Sequence, residues 1–356
     1  MPEEERCQIG ELDADHWHRV MSDFHDARLD QTQAYAAAKW PGARLETALL
    51  TRRAEVAAAA QVVIFRVPGL GPRLAYVKLG PLWRRRGRPE DLDALRAILR
   101  ELRAEFVQRR GLLLRIYPAS YEDPSGRVAP ILEQEGFSRP TIAFETAPSR
   151  RFVLDLTHDL EVLRAGLKPK WRYNLRQTER GELEFAEYCD TAAVDRFKDL
   201  YQRMVERKRF YDGSTIAAFP TFHAALPAEF RPRVMECRMG VETLAMAVVD
   251  TLGDTAVYLY GASSERGREL GAGYAIHWWI VRWLRERGAR RYDLGEGFTN
   301  PGLRQFKTGL VGSKGFIAPL LGNYDACDNA ASLWIGRFAT GLRDAQERFW
   351  ERIHDH

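Results

Sequence analysis

The chain has 356 residues, room for two domains at about 150 residues each, and its 45% hydrophobic and 29% charged residues exclude an intrinsically disordered chain. Lys and Arg number 53 against 49 Asp and Glu, a net charge of +4 that is too small to impose a nucleic-acid partner on the whole surface. Any basic function is therefore local.

The start of the chain, Met1-Pro2-Glu3-Glu4-Glu5, is acidic where a signal peptide needs positive charge and then an apolar run. The longest apolar stretch, 56–65, is broken by Gln61, well short of the ~18 residues of a spanning helix. Cys7, Cys189, Cys237 and Cys327 form no C-x-x-C pair, which argues against a zinc knuckle or a disulfide framework and fits a reducing compartment. These features together predict a cytoplasmic, soluble protein. His16, His18 and His25 complete no metal-ligand spacing and read as surface histidines.

In chain order, the first strong signal is the apolar run Ala75 to Leu79, stopped by Gly80. A helix follows, with Leu92, Leu95, Leu99, Leu102 and Phe106 on one face and Gly111 as its stop, and then a strand over Leu112 to Ile116. Thr146 to Arg150 reads as a boundary, with an alternating strand of Phe152, Leu154 and Leu156 beyond it. The first pattern then recurs. Ala256 to Tyr260 is a strand stopped by Gly261, Ile276, Ile280, Trp283 and Leu284 share a helix face ended by Gly288, and Arg291 to Leu294 is a strand. A strand, a crossover helix and a further strand, used twice, predict a duplicated α/β (α+β) fold with domains at 1–150 and 151–324. An amphipathic helix is expected from Leu333 to Ile353.

Four constellations could carry chemistry. A helix beginning at Pro169 places Arg172, Arg176 and Arg180 at spacings of four, either a stripe for phosphates or a solvated face. Tyr258 and Tyr260 stand two apart on a strand, so both hydroxyls are expected on one side, to hold a polar ligand or simply to pack. Arg268-Glu269-Leu270-Gly271-Ala272-Gly273 opens the second long helix and fits the R-x-x-G-x-G loop by which acyl-CoA-dependent N-acetyltransferases hold a pyrophosphate; a plain tight turn has the same pattern. Phe298 to Gly309 reads as a turn-rich loop carrying Phe306-Lys307, where a lysine braced by a ring either faces a developing oxyanion or solvates a surface.

In order and spacing these segments, with Gln31 to Trp40, Gly80-Pro81 and Asp293-Leu294-Gly295, resemble the Fem family of non-ribosomal peptidyltransferases, which add amino acids from aminoacyl-tRNA to peptidoglycan precursors. The resemblance implies two tandem GNAT-like (acyl-CoA N-acyltransferase-like) domains, with 325–356 returning to complete the first. The coiled-coil arm of some members is absent, since no heptad run separates Tyr173 from Tyr258. It further implies that Phe306 and Lys307 form the acyl-transfer centre and that Lys39, Tyr258 and Tyr260 contact the precursor. Arg115-Ile116-Tyr117-Pro118 stands where the family often has Arg-Phe-Asp-Pro, so Arg115 and Tyr117 join the expected acceptor contacts with a phenol in place of a carboxylate. The family's Asp-Leu-Gly-Gly becomes Asp293-Leu294-Gly295-Glu296.

The expected reaction moves glycine, alanine or serine from its tRNA to the side-chain amine of a UDP-linked or lipid-linked stem peptide. No cofactor or metal is expected, and aminoacyl-tRNA is the co-substrate. Arg172, Arg176, Arg180, Arg268, Gly271 and Gly273 are the candidates for tRNA or phosphate contacts. A monomer that touches the inner membrane face peripherally completes the expectation. Two alternatives stay open: an acyl-CoA-dependent N-acyltransferase of the same fold, and a non-catalytic protein that binds precursor or tRNA.

Overall fold

The computed structural model describes residues 5–67, 69, 71–122, 126–140, 150–208, 215–297 and 300–334. The predicted C-terminal helix lies outside the described residues from 335 onward, as does the boundary turn up to 149. The chain divides between Ser149 and Arg150, and again between Ala318 and Pro319, into two compact units, so the stretch from Pro319 joins the first unit somewhat before the residue 325 expected.

The first unit contains β1 (Glu5–Gly10), α1 (Ala14–Ser22), α2 (Gln33–Lys39), β2 (Arg44–Arg52), β3 (Glu55–Val67), β4 (Gly71–Lys78), α3 (Leu92–Leu102), β5 (Leu113–Tyr117) and α4 (Val128–Gln134). The second runs through β6 (Arg150–Asp155), α5 (Leu160–Gly166), α6 (Pro169–Thr178), β7 (Glu184–Tyr188), α7 (Thr191–Lys208), α8 (Phe219–Ala225), β8 (Arg233–Met239), β9 (Glu242–Asp250), β10 (Thr255–Ser263), α9 (Glu265–Glu269), α10 (Ala272–Glu286), β11 (Arg291–Asp293), α11 (Pro301–Val311) and β12 (Gly315–Pro319). β13 (Tyr324–Ala326) then pairs antiparallel with β5.

Each unit is one mixed sheet, ordered β1-β2-β3-β4-β5-β13 in the first and β12-β6-β11-β10-β9-β8-β7 in the second. In both, a four-stranded antiparallel meander is followed by a crossover helix and one parallel strand, β4 to β5 and β10 to β11. The duplication is therefore longer than the strand, helix and strand visible in the sequence: β1 to β5 and β7 to β11 share one order, each with two helices between the first and second strands. The units differ in the strand that covers the far side of the crossover strand. β13 from late in the chain pairs with β5, whereas β6, which opens the second unit, pairs with β11.

α3 forms because Asp91 caps it, its carboxylate accepting the Ala94 N–H at 2.9 Å, and because its apolar residues recur at helical spacing. Leu95, Ile98, Leu99 and Leu102 bury against Ala58, Ala60 and Val62 of β3, small side chains that let the helix approach the sheet. At about 1.5–3 kcal/mol for each large side chain buried, this face outweighs any intrinsic helix preference. α10 does the same in the second unit, covering Met235, Ala245, Ala247 and Val249 with Ile276, Ile280 and Leu284. Among the described residues between Tyr173 and Tyr258 there is no coiled-coil arm, and no described helix is long and apolar enough to cross a membrane.

Phe306-Lys307, read as lying on a loop, lies on α11. Asn300 caps that helix by accepting the Leu303 N–H at 2.9 Å, and Pro301 occupies its first turn, where no N–H is needed. The glycines at 302 and 309 hid the helix in the sequence. Gly309 is instead a packing residue, since a Cβ there would stand 2.7 Å from the Trp171 ring.

Candidate active site

β10 and β11 pair for three positions only, Thr255 with Arg291 through Val257 with Asp293. The equivalent ladder in the first unit runs for five, from Leu74 with Leu113 to Lys78 with Tyr117. The shorter ladder of the second unit is flanked by two irregularities. β10 carries a bulge at Leu259, so Tyr258 faces Val249 across β9 while Tyr260 faces Val248. On β11, the Asp293 carboxylate accepts the Gly295 N–H at 2.8 Å and Gly295 turns the chain with φ of 73°, a left-handed conformation that glycine adopts without strain. The site thus lies at the carboxyl ends of two parallel strands, where open α/β sheets hold ligands.

The bulge corrects the expectation that Tyr258 and Tyr260 share a side. Val249 belongs to the core under α10, and Tyr258 packs on that face with its ring 4.8 Å from His277. Tyr260 faces the other way, with ring centroids 5.5 Å from Phe219 of α8 and 6.3 Å from Phe197 of α7. One extra residue shifts the two-residue alternation by one. It also returns Gly261 to the Tyr258 side, where a Cβ would meet the Tyr258 hydroxyl at 1.8 Å. Gly261→Ala should therefore displace the Tyr258 ring and lower any activity of this site more than about tenfold, with loss of the tyrosine's ring contacts visible by NMR.

Lys307 enters this site from α11. It is 5% exposed, its ammonium donates to the Glu296 carbonyl, and its Nζ lies 5.7 Å from the centre of the Tyr258 ring. Burial first, and the neighbouring Arg151 guanidinium second, lower its pKa to about 8, against the opposing pull of Asp293 and Glu296. Arg151 is itself held by Asp293, at 3.1 Å from Nε to Oδ1. At pH 7 the site thus contains a buried lysine that is still protonated but loses its charge as pH rises through about 8.

Phe306 does not face the same atoms. Its ring is enclosed by Tyr274, His277 and Trp171 at 5.1, 5.2 and 5.8 Å, so it anchors α11 and sets the direction of its neighbour. His277 Nδ1 lies 3.2 Å from the Tyr292 hydroxyl. Burial, and then the Lys307 charge, press the His277 pKa down to about 3, so the imidazole is neutral at physiological pH. Burial raises the Tyr258 phenol, which also stays neutral. His277, Tyr292, Arg151 and Tyr274 were not singled out in the sequence. The first sits one residue from the apolar face of α10, and only the tertiary structure shows that it meets Tyr258, Phe306 and Tyr292.

The other expected contacts fall elsewhere. Arg115 is no acceptor contact: it is 3% exposed and forms a bidentate pair with Asp325, at 2.8 and 2.9 Å, because β13 sets Asp325 directly opposite it. Tyr117 is half-buried and opposite Lys78. Lys39, half-buried, is the last residue of α2 in the first unit. Arg172, Arg176 and Arg180 do not form one helical stripe, since α6 ends at Thr178 and Arg180 lies in the turn after it. Arg172 donates to the Ala165 carbonyl at 2.6 Å, and Arg176 is exposed. Arg268 is exposed and 3.6 Å from Glu265, while Gly271, with φ of 71°, starts α10. Gly273 stands in its first turn with nothing within 4 Å of where a Cβ would be.

Comparison with known proteins agrees with this topology. The profile of the Acetyltransferase (GNAT) domain matches residues 165–307, a span that ends on Lys307. The crystal structure of FemX superposes with a TM-score of 0.75 at 17% identity, covering 92% of this chain and 99% of that one. The chain has a Fem-like GNAT fold. The C-terminal domain of a putative lysylphosphatidylglycerol synthetase from Agrobacterium fabrum is similar at a TM-score of 0.53 and 15% identity, covering 94% of this chain and 95% of that one. A conserved protein of unknown function from Bacteroides thetaiotaomicron is similar at 0.59 and 13%, covering 90% and 99%. A search of curated proteins finds no match. The two units thus have a tandem GNAT-like fold, and the matched acetyltransferase domain lies in the second.

Proposed function

We propose that this protein is a member of the Fem family and transfers glycine, alanine or serine from aminoacyl-tRNA to the side-chain amine of a peptidoglycan stem peptide. The observation that carries the reading is Lys307, a buried ammonium held by the Glu296 carbonyl against Tyr258 where the β10 and β11 ladder ends. Attack of the acceptor amine on the ester carbonyl forms the C–N bond and places negative charge on the carbonyl oxygen. Collapse of that intermediate breaks the ester C–O bond, and the tRNA 3′ oxygen leaves with a proton. Lys307 faces the oxygen that gains charge, Phe306 keeps α11 seated, and Tyr258 supplies a ring wall. The acceptor ammonium, with an ordinary pKa near ~10, must lose its proton first; orientation by the site and proton loss through substrate groups meet that need.

In this reading Tyr258 contacts the precursor beside Lys307, and Arg176 and Arg268 contact phosphates of the tRNA. A charged tRNA places the reaction in the cytoplasm, and a lipid-linked acceptor brings the protein, as a monomer, to the inner membrane face. No cofactor takes part.

A second reading, acyl-CoA-dependent N-acylation, is favoured by one feature: the turn from Arg268 through Gly271 to the unobstructed Gly273 at the start of α10, which suits a pyrophosphate. One experiment separates them. Purified protein is incubated with the UDP-linked precursor and either charged tRNA or acetyl-CoA, and the products are weighed by mass spectrometry. Aminoacyl addition is expected, acetyl addition supports the second reading, and an unmodified precursor in both arms rejects both.

A further inference from the structure

A cavity of about 420 Å³ in the first unit lies at the amino-terminal ends of β4 and β5, away from the strand ends that the proposed chemistry uses. Four arginines line it from different elements: Arg44 on β2, Arg66 on β3, Arg73 on β4 and Arg110 in the turn before β5. It opens on the face that α3 covers, since Ile64 lines it and belongs to the core under that helix. Trp40, next to Lys39, packs on Phe65 and Tyr76, the alternate residues of the same strands, and so belongs to the opposite face.

Two of the arginines are fixed and two are left over. Glu46, only 1% exposed, pairs with Arg44 at 3.2 Å and with Arg110 at 2.9 Å. Arg110 is further held by Glu105 at 2.6 Å and by stacking 4.7 Å from the centre of the Phe106 ring. Arg66 and Arg73 have no ion-pair partner among the described residues. Arg73 is the extra residue of a bulge, because Phe65 pairs with Leu74 and Arg66 with Pro72, and its Nε is buried with no hydrogen-bond acceptor. A buried guanidinium N–H without an acceptor is costly, and like charges brought together across two strands repel. A dianion removes both costs at once, and the planar guanidinium fork matches phosphate oxygens two at a time.

We infer that this cavity is a binding site for a phosphate group, as a phosphomonoester or diphosphate on a small organic body, with Arg66 and Arg73 as its main ligands and Ile64 and Leu112 as the apolar wall for that body. Its volume of about 420 Å³ suits a small molecule. The inference is independent of the transfer reaction.

The test is calorimetric titration of the full chain with inorganic pyrophosphate at 0.15 M NaCl, roughly physiological ionic strength. The expected result is saturable binding to one site that weakens at least about tenfold in the Arg66→Gln, Arg73→Gln double variant, and is unchanged in Lys307→Met. The double variant should melt no lower than the wild type because it loses a repulsion; if it does not fold, Arg73→Lys, which keeps the charge and loses the fork, should show the weakening alone. No binding, or equal binding by wild type and variants, would overturn the site. Binding of uncharged tRNA that depends on these arginines, without binding of pyrophosphate, would overturn it in favour of a nucleic-acid groove.

Discussion

Lys307→Met should lower the single-turnover rate of transfer by about 10²–10³ at saturating precursor, with precursor affinity unchanged. The ester oxygen carries little charge in the ground state and gains it only as the amine attacks, so a buried ammonium there acts on the transition state. Methionine keeps the length and apolar stem of the side chain. The same substitution should stabilise the protein at pH 7, because the folded chain holds the lysine at a pKa of about 8 against an ordinary 10.5. The sign follows from proton binding: between these values the unfolded chain holds the proton and the folded chain does not, so wild-type stability rises with pH there. The variant's advantage, at most roughly 3 kcal/mol near neutrality, should shrink from pH 8 to 10.5. Urea melts at pH 7 and pH 10 measure it. A variant that is both slow and less stable at pH 7 would make Lys307 a structural residue. Wild-type transfer should also fall as pH rises through about 8, where the required cation is lost.

Asp325→Ala should destabilise the first unit by about 3–5 kcal/mol, because it removes the buried carboxylate that pairs with the charged Arg115 guanidinium at 2.8 and 2.9 Å. That is a large share of the 5–15 kcal/mol typical of a domain, so the unit is expected to be partly unfolded at 37 °C. Arg115→Met with Asp325→Leu should recover most of the loss, since an apolar pair of similar volume removes the desolvation cost of both charges. Denaturant unfolding of the two variants and the wild type measures the coupling. A loss within about 1 kcal/mol in Asp325→Ala would show that water reaches Arg115 and that the pair is surface-like.

These two lysine and arginine sites show how differently the residues were legible. Lys307 and Phe306 stood out in the sequence as a lysine beside a ring and again by resemblance, but their helix read as a loop because its Pro, Gly and Asn residues are equally turn formers. Arg115 stood out for the wrong reason. Its place in a strand-end motif resembling the family's implied an acceptor contact, but a strand from 210 residues later in the chain supplies the carboxylate that holds it. His277, Tyr292 and Arg151 gave no signal, because a lone polar residue on an apolar element reads the same whether it meets a site or a packing gap.

What the sequence by itself determined was everything with a local period: the apolar face of α3, the stops at Gly111 and Gly288, and the strand, helix and strand unit used twice. These depend on contacts within one or two turns and so can be read from spacing. What the tertiary structure decided was register. The bulge that separates Tyr258 from Tyr260, the three-residue ladder beside Lys307, and the pairing of Asp325 with Arg115 each follow from which distant strand lies alongside. Side-chain direction alternates with a period of two residues along a strand, so one residue of slip sends a side chain to the opposite face, and only the neighbouring strand fixes where that slip occurs.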